Sequence, residues 1–154
     1  KPALDTEALY CALLDQRDNL GILLQPYLPD AAAGECALIY FAGEYSHSVL
    51  RHAGVLSGEQ VSLPVLEPPQ DLRMLAEDVM ASQYEAMPVY ARVDIVPGER
   101  GPVIMELELT EPYLFFDEIP DPQLRDAAMR RFALEILREI ADQRWRGVTS
   151  SPGY

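Results

Sequence analysis

Residues 89–96 and 103–110 alternate apolar and polar side chains with a period of two, the pattern of strands that set one face on a core. Pro97-Gly98-Glu99-Arg100-Gly101 lies between them and predicts a hairpin loop. Residues 36–42 form a continuous apolar run and 45–50 a second strand-like run. Gly43-Glu44 between them, with a residue that accepts positive φ, favours another hairpin. A further strand is expected near 61–66, inside a stretch from 51 to 69 that is otherwise loop. The spacing becomes helical at Leu72, Leu75, Ala76, Val79 and Met80, one stripe of a helix over 72–83 that ends before Pro88. Asp121-Pro122 is an N-cap and first-turn signature. Behind it Leu124, Ala128, Phe132, Ile136 and Ile140, flanked by Met129, Ala133 and Leu137, predict a helix over 122–143 that packs along the core.

Upstream, Asp5 or Thr6 can cap a short helix carrying Leu9, Ala12 and Leu13, stopped at Asn19-Leu20-Gly21. Residues 22–27 read as a buried strand closed by Pro29-Asp30 and the small residues 31–34. The segment beyond Trp145 has too few apolar residues to offset its ordering entropy and is expected to be a loose end. The class these elements imply is α+β: an antiparallel sheet of about four to six strands, with the helices at 72–83 and 122–143 covering one face.

Composition narrows the partners. The 154 residues hold 25 Asp plus Glu against 12 Lys plus Arg, a formal charge of -13, which repels a nucleic-acid backbone. The apolar run 36–42 is far below the roughly 20 residues that cross a bilayer, and no charged-then-apolar signal segment opens the chain, so no membrane partner is expected. Cys11 and Cys36 have neither zinc-ligand nor disulfide spacing and read as reduced thiols, which suits a cytoplasmic protein. Self-association as a homo-oligomer is compatible with the sequence but not specified by it.

The chemistry concentrates in the two alternating strands. Arg92 and Asp94 share a face with Tyr90, while Val89, Ala91, Val93 and Ile95 share the other. On the returning strand Glu106 and Glu108 share a face, and Met105, Leu107 and Leu109 take the core side. If the two strands pair, one arginine and three carboxylates converge on a rigid patch. Carboxylates so gathered repel one another and call for a counter-ion. Oxygen-only ligands suit a hard cation such as Mg²⁺, and a guanidinium beside them offers a fork to a phosphoryl oxygen. A solvated acidic sheet face would show the same spacing, so the spacing alone leaves both readings open.

These residues carry a family resemblance. Arg92-Val93-Asp94 and, twelve residues on, Glu106-Leu107-Glu108-Leu109 with Glu111-Pro112 resemble the R-x-D … E-x-N/E motif of ATP-grasp ligases. Gly43-Glu44-Tyr45-Ser46-His47 and Met105-Glu106-Leu107-Glu108-Leu109-Thr110-Glu111-Pro112 look like the G-E-x-S-H and E-L-E-L-x-E-P segments of ATP-grasp proteins resembling the cycloserine-biosynthesis ligase. Lys1-Pro2 is similar to the family's phosphate-contacting K-P, and Gln25-Pro26-Tyr27-Leu28 to its adenine-pairing hinge. The resemblance implies Mg²⁺ ligation by Asp94, Glu106 and Glu108, ATP binding by Lys1, Gln25, Pro26, Tyr27, Leu28 and Glu35, with Glu35 on the ribose, and a catalytic Arg92 at the transferring phosphoryl group. Arg51 is expected toward the phosphates and His47 as a hydrogen-bonded sheet residue.

By the same resemblance, 1–30 is a remnant of the central ATP-grasp subdomain, 31–147 the C-terminal subdomain and 148–154 a flexible tail. The implied activity is ligation of a small-molecule carboxylate to an amine through an acyl phosphate. The family's Gly-rich phosphate loop, its segment after S-H and its N-terminal substrate domain have no counterpart in the sequence. The chain is therefore expected to be incomplete or gapped, and inactive alone. Two other readings stand beside the ligase: a nucleotide- or Mg²⁺-binding module without catalysis, and an acidic protein-interaction domain.

Overall fold

The computed structural model describes residues 28–53, 60–65, 67–83, 86–98 and 100–149, together with positions 7, 10 and 11. Those three positions are helical; the rest of the helix expected from Asp5 onward, the strand expected at 22–27 and residues 150–154 lie outside the described residues.

Among the described residues five strands, β1 (Glu35–Phe41), β2 (Glu44–Ala53), β3 (Gln60–Val65), β4 (Tyr90–Gly98) and β5 (Gly101–Glu108), form one sheet in the order β3-β2-β1-β4-β5, with every pairing antiparallel. Helix α1 (Gln70–Gln83) joins β3 to β4, and α2 (Pro122–Thr149) follows β5; short 3-10 turns occupy Pro29–Ala33 and Phe116–Glu118. Asp121 Oδ1 caps α2, accepting the Gln123 and Leu124 N–H at 2.8 and 3.4 Å. Pro64 falls on the edge strand β3, where a missing N–H is tolerated.

The α+β class holds, but the helices do not share a face. Cys36, Leu38 and Tyr40 of β1 pack with Ala91, Val93 and Ile95 of β4 under Leu72, Ala76 and Met80 of α1. Ala37, Ile39 and Phe41 point the other way, to Val49, Phe115 and the α2 residues Ala128 and Phe132. The reason lies in the unbroken apolar run of β1: as the middle strand it buries both faces, so each face needs its own cover. The rings of Phe41, Phe116 and Phe132 lie 5.4–6.1 Å apart, centroid to centroid, and close one end of the second face.

Among the described residues, Ala128 and Phe132 are what α2 adds to this core. Leu124 and Ile140, expected on the core face, are 59% and 45% exposed, and the flanking Leu137 is 61% exposed. The helix runs six residues beyond its expected end at 143, so Val148 and Thr149, assigned by sequence to the tail, are helical.

Two further departures come from sheet irregularities. The β1–β2 loop is Ala42-Gly43, with φ of 50° and 80°, because Glu44 already pairs with Phe41. Two successive positive φ values are those of a type I′ hairpin turn. A Cβ at Gly43 would stand 2.7 Å from Met87 Cγ, so glycine is needed there for space as well as for φ. In β5 the register slips between the Asp94–Glu106 and Ile95–Ile104 pairs, leaving Met105 as an extra residue. Ile104, not Met105, therefore joins Leu107 and Leu109 against the core.

Candidate functional site

The register lays the charged residues out in rows across the α2-side face. Asp94 pairs with Ala37 on one side and with Glu106 on the other; Arg92 pairs in the same way with Ile39 and Glu108. On β2, Val49, His47 and Arg51 lie opposite Ala37, Ile39 and Glu35. Facing side chains on neighbouring strands are close enough to interact directly. The β5 bulge falls beyond Glu106, which leaves both pairs of charged residues in phase.

Alternating charge links the rows. Arg92 Nε donates to Asp94 Oδ1 at 2.9 Å and to Oδ2 at 3.2 Å, and its Nη2 donates to Glu106 Oε2 at 2.7 Å. Arg51 Nη2 donates to Asp94 Oδ2 and to Glu35 Oε2, both at 2.7 Å. The Asp94 side chain is 1% exposed, whereas that of Glu106 is 49% exposed. Burial raises the Asp94 carboxyl above the ordinary range, against the opposing pull of the Arg92 and Arg51 guanidiniums. Glu108 is held differently: its Oε1 accepts the Thr110 and Glu111 N–H at 2.8 and 3.3 Å, which lowers its pKa.

His47 is part of the scaffold. Its Nε2 donates to the Leu114 carbonyl at 2.7 Å, which can only accept, so Nδ1 accepts from the Ser46 hydroxyl at 2.9 Å. Burial lowers its pKa, so the neutral ring is favoured, and the bond to Leu114 opposes that shift. The contact pins the segment that follows Glu108 to β2.

The structure thus brings Arg92, Asp94, Glu106, Glu108 and Glu35 to one face. Leu28 sits at the entry to the Pro29–Ala33 turn, its carbonyl accepting the Ala31 N–H at 3.1 Å. Lys1, Gln25, Pro26 and Tyr27 lie outside the described residues. Arg51, expected toward the phosphates, bridges the carboxylates of Glu35 and Asp94. Its pairing with Glu35 depends on a one-residue bulge at Ser46, where the register shifts, which the hairpin pattern alone does not mark.

Among the described residues no group of three or more His, Cys, Asp or Glu side chains is gathered around one point for a metal. The cause is visible in the ion pairs: Arg92 occupies the acceptors of Asp94 and Glu106 that a cation would need. The donor set itself suits a hard cation, with three carboxylates on adjacent rigid strands, and Glu106 and Glu108 reach solvent on the edge strand.

No family model matches the chain. The cycloserine biosynthesis protein DcsG of Streptomyces lavendulae is 32% identical over 119 residues, 69% of this chain and 40% of that protein. Among solved structures, D-cycloserine synthetase DcsG superposes with a TM-score of 0.59 at 27% identity, covering 75% of this chain and 41% of its own. D-alanine–D-alanine ligase from Bacillus anthracis, complexed with ATP, superposes with a TM-score of 0.55 at 17% identity, a likeness of fold; 90% of this chain and 49% of that chain are covered. The chain thus spans about 40% of the curated relative it matches. With the R-x-D and E-x-E residues on one face of the shared fold, the chain belongs to the ATP-grasp ligase family, as a part of the length of its members.

Proposed function

We propose that the protein to which this chain belongs is an ATP-dependent ligase that joins a small-molecule carboxylate to an amine. The observation that carries this reading is the pairing of Asp94 with Glu106 and of Arg92 with Glu108 in adjacent registers of one sheet face. On this reading 31–147 is the C-terminal ATP-grasp subdomain, and 1–30 is what remains of the central one. Two free cysteines, Cys11 and Cys36, support a reducing, cytoplasmic setting, and among the described residues no helix is long and apolar enough to cross a membrane.

Asp94, Glu106 and Glu108 would hold Mg²⁺, and Lys1, residues 25–28 and Glu35 would hold the nucleotide. The chemistry that Mg²⁺-ATP supplies when bound is an activated phosphoryl group with its charge neutralised. The substrate carboxylate attacks the γ-phosphorus and ADP leaves; the amine then attacks the acyl carbon of the acyl phosphate, and phosphate leaves. Arg92 exchanges Glu106 for an oxygen of the transferring group, where its fixed fork meets developing charge without reorganising the sheet. Asp94 keeps the Arg92 Nε on one side and Arg51 on the other.

The test is a screen of amino acids and hydroxy acids for ADP release by the full-length gene product. We expect amine-dependent ADP release from at least one pair of substrates, and its loss by about three orders of magnitude in Arg92→Met. ADP release that is unchanged in Arg92→Met and in Glu106→Gln would remove the basis of the proposal.

A further inference from the structure

We infer that Arg51 is a positioning residue for this site: it holds Asp94 from the side opposite Arg92 and ties it to Glu35. The inference rests on the ligase reading for its purpose, not for its geometry. Arg51 lies on β2 and Asp94 on β4, with β1 between them, so the two backbones are about 10 Å apart at the usual strand spacing. A long side chain can cross that gap only where the middle strand is low. The β1 residue opposite Asp94 is Ala37, whose methyl group leaves the passage open, and Glu35, opposite Arg51, supplies the second acceptor. One nitrogen, Nη2, meets both carboxylates at 2.7 Å, while Nε is buried without a hydrogen-bond partner among the described residues.

The two arginines therefore divide the work. Arg92 has one acceptor that is half exposed, Glu106, and can leave it. Arg51 spends its bonds on a wholly buried acid and on the residue at the start of β1, and both bonds fix the sheet side of Asp94. When Arg92 Nη2 leaves Glu106 for a phosphoryl oxygen, the Arg51 bond fixes Asp94 Oδ2 on the side away from the Arg92 Nε contact. Without Arg51 only the moving Arg92 would hold that carboxylate, and the ligand geometry would loosen although every proposed ligand remained in place.

Mn²⁺ serves as the spectroscopic probe, titrated into the full-length protein saturated with a non-hydrolysable ATP analogue. Arg51→Gln is expected to weaken Mn²⁺ binding by about ten-fold or more, while metal-free affinity for the analogue stays within about two-fold. Arg51→Lys keeps the charge and should recover part of the loss. Adding Arg51→Gln to Asp94→Asn should cost nothing further, because the two act through one bond. Unchanged Mn²⁺ affinity in Arg51→Gln, or an equal loss of metal-free analogue binding, overturns the inference; the second result would make Arg51 a direct ligand contact. If Arg51→Gln does not fold, Arg51→Lys carries the same comparison. A wild-type protein that binds neither probe defeats the ligase reading. Crystal structures of wild type and Arg51→Lys then decide the positioning alone, a turned Asp94 upholding it and an unmoved one ending it.

Discussion

Leu38 and Ile39 are consecutive residues of β1, both wholly buried, and they look into different chemistry. Leu38 faces α1 and shares a cluster with Leu72, Ala76 and Met80 of the helix and with Ala91, Val93 and Ile95 of β4. Ile39 faces the side where an aromatic cluster at one end gives way, one row on, to Arg92, Asp94 and Arg51. The first face gains free energy by removing hydrocarbon from water. On the second, a wholly buried carboxylate and two largely buried guanidiniums lose hydration that their mutual attraction only partly restores. The contrast suggests that stability rests on the α1 interface and the aromatic cluster, while the charged rows are kept for the ligand we propose.

The sharpest way to break the contrast is to cut the α1 face. Leu38→Ala should lower unfolding free energy by about 2–5 kcal/mol in denaturant titration, since the close-packed sheet and helix cannot collapse into the gap. A loss below about 1 kcal/mol would mean that the α1 face is not the main store of stability. His47→Phe probes the other face. It keeps an aromatic ring beside Phe41 and Phe116 but strips the Leu114 carbonyl of its donor, at a cost of about 1–3 kcal/mol.

The same variant carries a pH signature. Because the folded protein lowers the His47 pKa, the unfolded chain binds the proton more readily. Its contribution to stability is complete above the ordinary value of 6.5 and is lost as pH falls through the folded pKa. Wild type minus His47→Phe should therefore show a stability difference that shrinks on acidification below pH 6.5. A difference that is flat with pH would mean that the ring is not held neutral.

How much of this was legible depended on whether the signal was local. The alternation of 89–96 and 103–110 placed Arg92 on one face with Asp94 and Glu106 on one face with Glu108, and the structure sets Asp94 opposite Glu106 and Arg92 opposite Glu108. The Asp121-Pro122 cap set the start of α2. Periodicity could not show which face each helix would choose, because the run 36–42 is apolar at every position and marks no inside. Nor could it reveal the two bulges, at Ser46 and Met105, since an extra residue in a strand is set by its partner strand. Arg51 shows the same limit: its crossing to Asp94 depends on the strand order β2-β1-β4 and on Ala37 between, which are facts of topology rather than of spacing.

The smallest expected effect concerns the turn that sets the register of both faces. Ala42 has φ of 50°, a region where a Cβ crowds the backbone, while its N–H donates to the Val89 carbonyl at 2.9 Å and so holds the hairpin against the start of β4. Ala42→Gly relieves the crowding, keeps that donor, and gives back part of the gain through the greater freedom of glycine in the unfolded chain. The net expectation is a gain of about 0.5–1 kcal/mol, read as a higher denaturant midpoint with an unchanged slope. Both faces take their phase from this turn, so the gain should appear equally in Leu38→Ala and His47→Phe backgrounds. A gain confined to one background would mean that the turn supports that face alone, and the two faces would then not share a common frame.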